Sequence, residues 1–459
     1  MKSVPLLTNH QYKEAGVSPG NTHMNKKVSL GASIAMVILA IALTVSVTMV
    51  ISTRIFDSRM GALAQRQTMF DYITRIDQIV REHNANIDED KLRQALAAGY
   101  LAGINDPYAA FLTQEEYTAA TAAEDGRGDD FGISWMQNQT GDYVIYYVQK
   151  NSPAGQQDKL MAGDIITALD GTPVADLGIA GIKAKMAGTD LHIDYLRGDT
   201  AGQVQLTSTV YQLTSVDSQL FGTVAYIRIR ALNDLTMDQF RTAYTALQGQ
   251  GATQLVLDLR GVSGMTAKAT DAAKAILDYL APRGPYAVSA DTKTGASTLL
   301  SSTGAAELTA GQAVELVDKG TGGPAELIAG VLQDKGVAKL VGVGTAGVGK
   351  VQDIFPIQST DGAAIRLSVA SLSIGANGNV PIEGIGLTPD YYLTLDAGQA
   401  PWLDLLPLDQ DTQFQKALAL LQGTPDSGTT PGNTNPSDTQ ATDTQNTTQG
   451  DTAPSDTQG

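Results

Sequence analysis

The sequence predicts a multidomain chain. An N-terminal transmembrane helix and a helical segment lead into a β-rich domain, then an α/β core, then a disordered tail. Three observations carry this. Residues 28–52 run VSLGASIAMVILAIALTVSVTMVIS without one charge. Residues 214–400 alternate strand-like apolar runs with amphipathic helical stretches, the pattern of an α/β core. Residues 423–459 consist almost wholly of Thr, Asp, Pro, Gly, Asn, Ser and Gln. Such a tail cannot bury enough apolar area to offset its ordering entropy. At 459 residues the chain is also too long for one compact domain.

Composition removes several functions. The net charge of −17 argues against nucleic acid, which needs a concentrated basic surface. There is no cysteine, so disulfides, thiolate catalysis and Cys-ligated zinc are excluded. The four histidines, His10, His23, His83 and His192, show no metal-ligand spacing. No metal or cofactor is implied. The 28–52 run is long enough for a bilayer, which needs about 20 residues. Lys26 and Lys27 precede it, so the positive-inside rule puts residues 1–27 in the cytoplasm and everything after Arg54 outside. A cleaved signal peptide would have a shorter apolar core and a small-residue cleavage site, and TVSVTMVIS offers no convincing one.

In FDYITRIDQIVREH, Tyr72, Ile73, Ile76, Ile79 and Val80 recur at helical spacing. Asp88, Glu89 and Asp90 then open a second helix, where acids suit the dipole. Residues 53–128 are therefore read as a helical segment. Asp170 and Gly171 mark a hairpin-type turn in the β-rich stretch that follows. In the core, YIRIRALN at 226–233 alternates as a strand does, and DLTMDQFRTAYTALQGQG reads as an amphipathic helix ended by glycine. QLVLDLRG at 254–261 is continuously apolar, as in a sheet covered on both faces. The apolar run 314–317, the turn GTGGPAE at 320–326 and a helix over 325–333 come next, with Pro324 at the first helical position. A strand, a tight turn and a helix N-terminus place amides and a dipole where negative charge can develop. A short helix closes the core at 411–422.

Several motifs together resemble one family. NDPYAAFLTQEEY at 105–117 is similar to D-P-Y-[ST]-x-[FY]-L-T-x-E-E-Y. SPAGQQDKLMAGDIITALDG at 152–171 is similar to the S-P-A…G-D-x-I…[ND]-G pattern of a PDZ domain. LDLR at 257–260, GVAKLVGVGTAGVGKVQDIFPI at 336–357 and IEGIGLTPDYYL at 382–393 continue the series. Over roughly residues 70–422 the chain resembles the C-terminal processing peptidases, also called tail-specific proteases, which use a Ser/Lys dyad. The resemblance implies a PDZ domain at 129–213 and a tail-specific-protease-like core at 214–422.

The same resemblance implies a damaged site. The family turn G-S-A-S-A-S-E-I, aligned through Gly320, Glu326 and Leu327, puts its nucleophilic serine on Gly323. The base of G-K-G-x-x-Q falls on Val348 in GVGKVQ, while the family's glutamine persists as Gln352. Of the two oxyanion-region glycines, Gly264 remains and Met265 replaces the other. Such a dyad needs a hydroxyl at the helix N-terminus and a desolvated neutral amine in reach of it. Thr321 and Lys350 each lie two positions from the expected sites, a shift of roughly 6–7 Å along a strand. Near-attack geometry tolerates about 1 Å. Ser263 follows a strand and a glycine-bearing turn, but Met265 breaks the G-x-S-x-G spacing.

A PDZ domain adds an extended peptide to a sheet edge and captures its carboxylate on loop amides. By position that loop is Asp130, Phe131, Gly132 and Ile133. The acid at 130 would repel a carboxylate unless its side chain points away, and a PDZ fold that binds no free tail is the alternative. The expected function is a membrane-anchored, extracytoplasmic, catalytically inactive family member. It would bind protein or peptide C-terminal tails as a regulator or scaffold. The alternatives are an endopeptidase using the displaced Thr321/Lys350 pair, and a structural role as a homodimer or docked on an active paralogue.

Overall fold

The computed structural model describes residues 30–304, 308–358 and 362–423. The expected cytoplasmic segment 1–27 and the expected tail beyond residue 423 lie outside the described residues. The chain divides into two units, 1–92 and 93–459.

In the first unit, the apolar run and the segment after it are one continuous helix, α1, Leu30–His83. The sequence places an anchor and then a separate helix there. No proline interrupts these 54 residues, so nothing breaks the ladder. At 1.5 Å per residue the helix is roughly 80 Å long. Its Ile34–Ile55 stretch has a mean hydropathy of 2.7 and is not buried by protein. Helix α2, Glu89–Ala102, most of which belongs to the second unit, starts after Asp88, whose carboxylate accepts from the Lys91 amide at 3.1 Å.

In the second unit, the strand Ala110–Leu112 leads into α3, Gln114–Glu124. Thr113 and Glu116 form a reciprocal capping box there. This gives the TQEE of the DPY-containing motif a local structural task.

The PDZ domain holds five antiparallel strands in the order Ile133–Gln137, Tyr143–Val148, Ile165–Leu169, Asp190–Arg197 and Thr200–Thr207. Helix α4, Val174–Met186, adds Val174 and Ile182 to a core with Phe131, Ile145, Leu191 and Ile193. Asp170 and Gly171 both take positive φ, 48° and 75°, as the tight hairpin turn requires. Among the described residues Ile133–Gln137 pairs on one side only, so its other edge is open.

The core sheet runs Val216–Phe221, Val224–Ile229, Gln254–Asp258, Ala313–Val317, Ala338–Gly342 and Tyr391–Tyr392. The first pair is an antiparallel hairpin and the rest are parallel. Helices α5 (Thr236–Gly249), α6 (Ala267–Leu280) and α7 (Pro324–Asp334) cover one face. The C-terminal helix α8, Thr412–Leu421, covers the other through Phe414, Ala417 and Leu421. Leu255, Val256 and Leu257 are fully buried because both faces are covered, which is why that strand reads as uninterrupted apolar sequence.

An antiparallel sheet lies beside this core. Its long strand Ala364–Ile374 pairs with Lys350–Pro356, Gly284–Asp291 and Ala110–Leu112, and Gly284–Asp291 pairs with Ser297–Ser302. This sheet carries the 347–352 segment to the N-terminus of α7.

Candidate active site and peptide-binding loop

Gly323 stands immediately before α7, at φ 62° and ψ −125°. Residues with a side chain rarely hold positive φ. A Cβ built there would lie 2.5 Å from the carbonyl oxygen of Gly264. The turn is therefore shaped for glycine in two independent ways. The Gly323 amide is already engaged, donating to Glu326 Oε2 at 2.9 Å.

Glu326 is fully buried and organises the site. Its Oε2 also accepts from the Val348 amide at 2.8 Å. Its Oε1 accepts from the Gly347 amide at 2.7 Å and from the Thr345 hydroxyl. One carboxylate thus ties the Gly323 turn to the Val348 loop. Four donors compensate for burying it. Val348 faces this turn, its Cγ2 lying 3.6 Å from where a Cβ on Gly322 would stand. It presents methyl groups and no proton acceptor.

Gln352 is also fully buried. Its Nε2 donates to the Tyr108 carbonyl at 2.7 Å, while its Oε1 has no hydrogen-bond partner among the described residues. A buried amide oxygen left unpaired is uncommon and costs on the order of 1–3 kcal/mol. Tyr108 belongs to the Asp-Pro-Tyr segment, and its hydroxyl donates to Glu383 at 3.3 Å. Asp106 in the same segment accepts from the amide and hydroxyl of Ser368 at 2.8 and 2.9 Å. This motif fastens the strand beside the site.

The 261–265 segment sits against the same turn. Ser263 pairs with Gly322 in an isolated parallel bridge. The Met265 carbonyl accepts from the Gln352 amide. The positive φ in this segment falls on Gly261 (73°), and neither Gly264 nor Met265 needs one. The sequence suggests that methionine would disturb the turn by resisting positive φ. Here the conformational demand lies elsewhere. The carbonyl oxygen of Gly264 instead crowds residue 323, lying 2.5 Å from where a Cβ there would stand.

The displaced pair does not meet. The Thr321 hydroxyl is fully buried, donates to the Leu259 carbonyl at 3.0 Å and to Asp318 at 3.2 Å, and accepts from the Asp318 amide. Lys350 instead donates to Ser371 Oγ at 2.9 Å, its direct partner across the antiparallel ladder. Sequence gave no signal for this hydroxyl–amine pair, because Ser371 and Lys350 are 21 residues apart. Ser371 lies mid-strand, paired with Lys350 on one side and Ala290 on the other.

In the PDZ loop, the exposed Asp130 side chain folds back onto its own loop. Its Oδ1 accepts from the Gly132 amide at 2.8 Å and from the Tyr211 hydroxyl at 2.5 Å. Burial, and then the bond to Asp130, raise the Tyr211 pKa, so the phenol stays a donor. Gly132 has φ 75°, and a Cβ there would meet buried Ser152 at 2.0 Å. Phe131 is in the domain core, 2% exposed, and Ile133 is half-buried at the start of the edge strand.

The model for peptidase family S41 matches residues 223–393, and that for the PDZ domain matches residues 130–207. The chain is 28% identical over 332 residues to a carboxyl-terminal-processing protease of Picosynechococcus, covering 70% of this chain and 77% of that one. It is 27% identical over 326 residues to the chloroplastic C-terminal processing peptidase of Tetradesmus obliquus, covering 64% and 66%. Residues 223–393 thus match peptidase family S41, and the chain is similar to proteins named carboxyl-terminal-processing proteases. Among solved structures, an S41 protease from Bacteroides fragilis shares the fold, with a TM-score of 0.51, 18% identity, and coverage of 76% of this chain and 97% of that one. Gly264, Met265, Thr321, Gly323, Val348, Lys350 and Gln352 all lie within the S41 match, and Asp130 to Ile133 lie within the PDZ match.

Proposed function

We propose that this chain is a catalytically inactive, membrane-anchored member of the C-terminal processing peptidase family. It binds extended polypeptide, protein tails included, through the PDZ edge and the peptidase-like groove without cutting it. The observation that carries the reading is the turn at Gly323. The nucleophile's position has no side chain, a left-handed backbone, and a carbonyl oxygen where a Cβ would start. Val348 in place of a base and the unpaired Oε1 of Gln352 support it, since a buried acceptor without a donor is what loss of an amine leaves behind. The Ile34–Ile55 stretch is apolar enough to serve as the anchor.

The test mixes the purified chain with peptides bearing apolar C-termini and follows them by mass spectrometry. Binding without turnover is expected. Steady cleavage that disappears with Lys350→Ala or Thr321→Val would overturn the reading. The double change Gly323→Ser with Val348→Lys is expected to restore little proteolysis. A left-handed serine against the Gly264 carbonyl is strained by about 1–3 kcal/mol. Strong peptidase activity in the double variant would show that the turn relaxes more easily than its geometry suggests.

A further inference from the structure

A PDZ domain that captures a chain terminus does so with free loop amides. Here one of those amides is engaged from within. Asp130 receives the Gly132 N–H at 2.8 Å and is itself steadied by the Tyr211 hydroxyl. Asp130 is otherwise exposed, and Asp129 beside it is exposed as well. The nearest cation in sequence, Arg127, is bonded to Asp125 at 2.6 Å and so does not neutralise the loop. A ligand reaching the start of the Ile133–Gln137 strand therefore meets negative charge and an occupied donor.

The strand itself remains available. Its outer edge is unpaired among the described residues, and Ile133 and Trp135 are half-buried against the domain core. An extended chain can still add its backbone to this edge. The loop is also not a closed end. A cleft of about 280 Å³ begins at Asp129 and is lined by Arg127, Tyr117, Thr121 and the exposed Val210.

We propose that the PDZ edge takes an internal extended segment of a partner polypeptide, one that carries an amide or a cationic side chain at the loop, and rejects a free C-terminal carboxylate there. The inference rests on the binding reading above and is independent of the loss of catalysis. It narrows that reading, because a free tail, if bound, would lie in the peptidase-like groove and not in the PDZ loop. A free carboxylate would have to displace Asp130 from Gly132 and then sit beside it, and like charges in contact disfavour binding. An internal segment brings no such charge.

The experiment uses the full chain in detergent and an arrayed set of random decapeptides with apolar residues at alternate positions. Each decapeptide is made with a free carboxylate, as a C-terminal amide, and extended by five further residues. Amide and extended forms are expected to bind at least about tenfold more tightly than the carboxylate forms. In Asp130→Ala, which frees the Gly132 amide and removes the charge, that preference is expected to vanish or reverse. Asp130→Asn keeps a side-chain acceptor for the amide, and it should weaken the preference while preserving the loop. Carboxylate forms binding as tightly as amides in the unaltered protein would overturn the proposal. So would a preference unchanged in both variants, or no binding in any arm. Cleavage of bound peptides would sink the inactive reading and leave the preference standing, so the two failures are told apart.

Discussion

At the scale of single residues, the most unusual group outside the site is Glu315. It lies on the central strand Ala313–Val317, paired in register with Leu257 and Leu340. It is fully buried, and both carboxylate oxygens lack a hydrogen-bond partner among the described residues. Burial, with a smaller push from Asp390, raises its pKa from 4.5 to about 8. An acid whose folded pKa exceeds its unfolded one binds more protons folded than unfolded between those values. Stability therefore falls as pH rises from about 4.5 to about 8, by a few kcal/mol. Glu315→Leu is expected to raise the melting temperature, and by several degrees more at pH 9 than at pH 5. An equal gain at both pH values, in calorimetric melts, would mean the carboxyl is not neutral in the fold. Gly323 belongs to the same scale and differs in kind, for there a positive φ and the nearby Gly264 carbonyl strain any side chain.

At the scale of elements, α8 is held by a buried ionic cluster. Arg260 bonds Asp258 at 2.6 Å and Asp411 at 2.7 Å, and all three are at most 2% exposed. Burial by itself would raise the Asp258 pKa; the charge and hydrogen bonds of Arg260 outweigh it and hold the carboxyl at about 2. Asp411 also caps α8, accepting from the Gln413 and Phe414 amides. Asp411→Ala removes the cap and half the counter-charge together. Its expected cost is about 3–5 kcal/mol, since breaking one partner strands a buried charge. Urea unfolding measures this, and early proteolysis within 400–411 would accompany it. A loss below about 1 kcal/mol would show that Asp258 alone suffices for Arg260.

At the scale of the whole molecule, the two units differ in how much apolar surface they bury. The Ile34–Ile55 stretch exposes Leu39, Leu43 and Met49 to whatever surrounds it, whereas residues 93–423 bury extensive apolar cores. The full chain is expected to stay with membranes after an alkaline carbonate wash, and a chain lacking residues 28–52 to become soluble. Protease added outside intact spheroplasts is expected to digest the PDZ and core domains. Protection of those domains would reverse the orientation implied by Lys26 and Lys27.

The sequence determined the order of domains, because periodicity and turn chemistry are local properties. The long apolar helix, the Asp170–Gly171 turn, the Pro324 start of α7 and the doubly covered 254–258 strand could all be read without coordinates. The family resemblance also implied that Gly323 and Val348 stand where a hydroxyl and an amine are expected. Helix α1 was legible in type but not in extent, since nothing in the sequence separates a long helix from two abutting ones except a breaker that is absent. What only the tertiary structure decided depends on groups distant along the chain. Glu326 joins the Gly323 turn to a loop some twenty residues on, Lys350 turns to Ser371, and Tyr211 holds Asp130 against Gly132 from 81 residues away. Hydrogen bonds report spatial proximity, which composition and spacing do not encode. For that reason the absence of a hydroxyl at 323 and of an amine at 348 was visible in the sequence, while the Gly264 carbonyl beside Gly323 and the bond between Asp130 and the Gly132 amide were not.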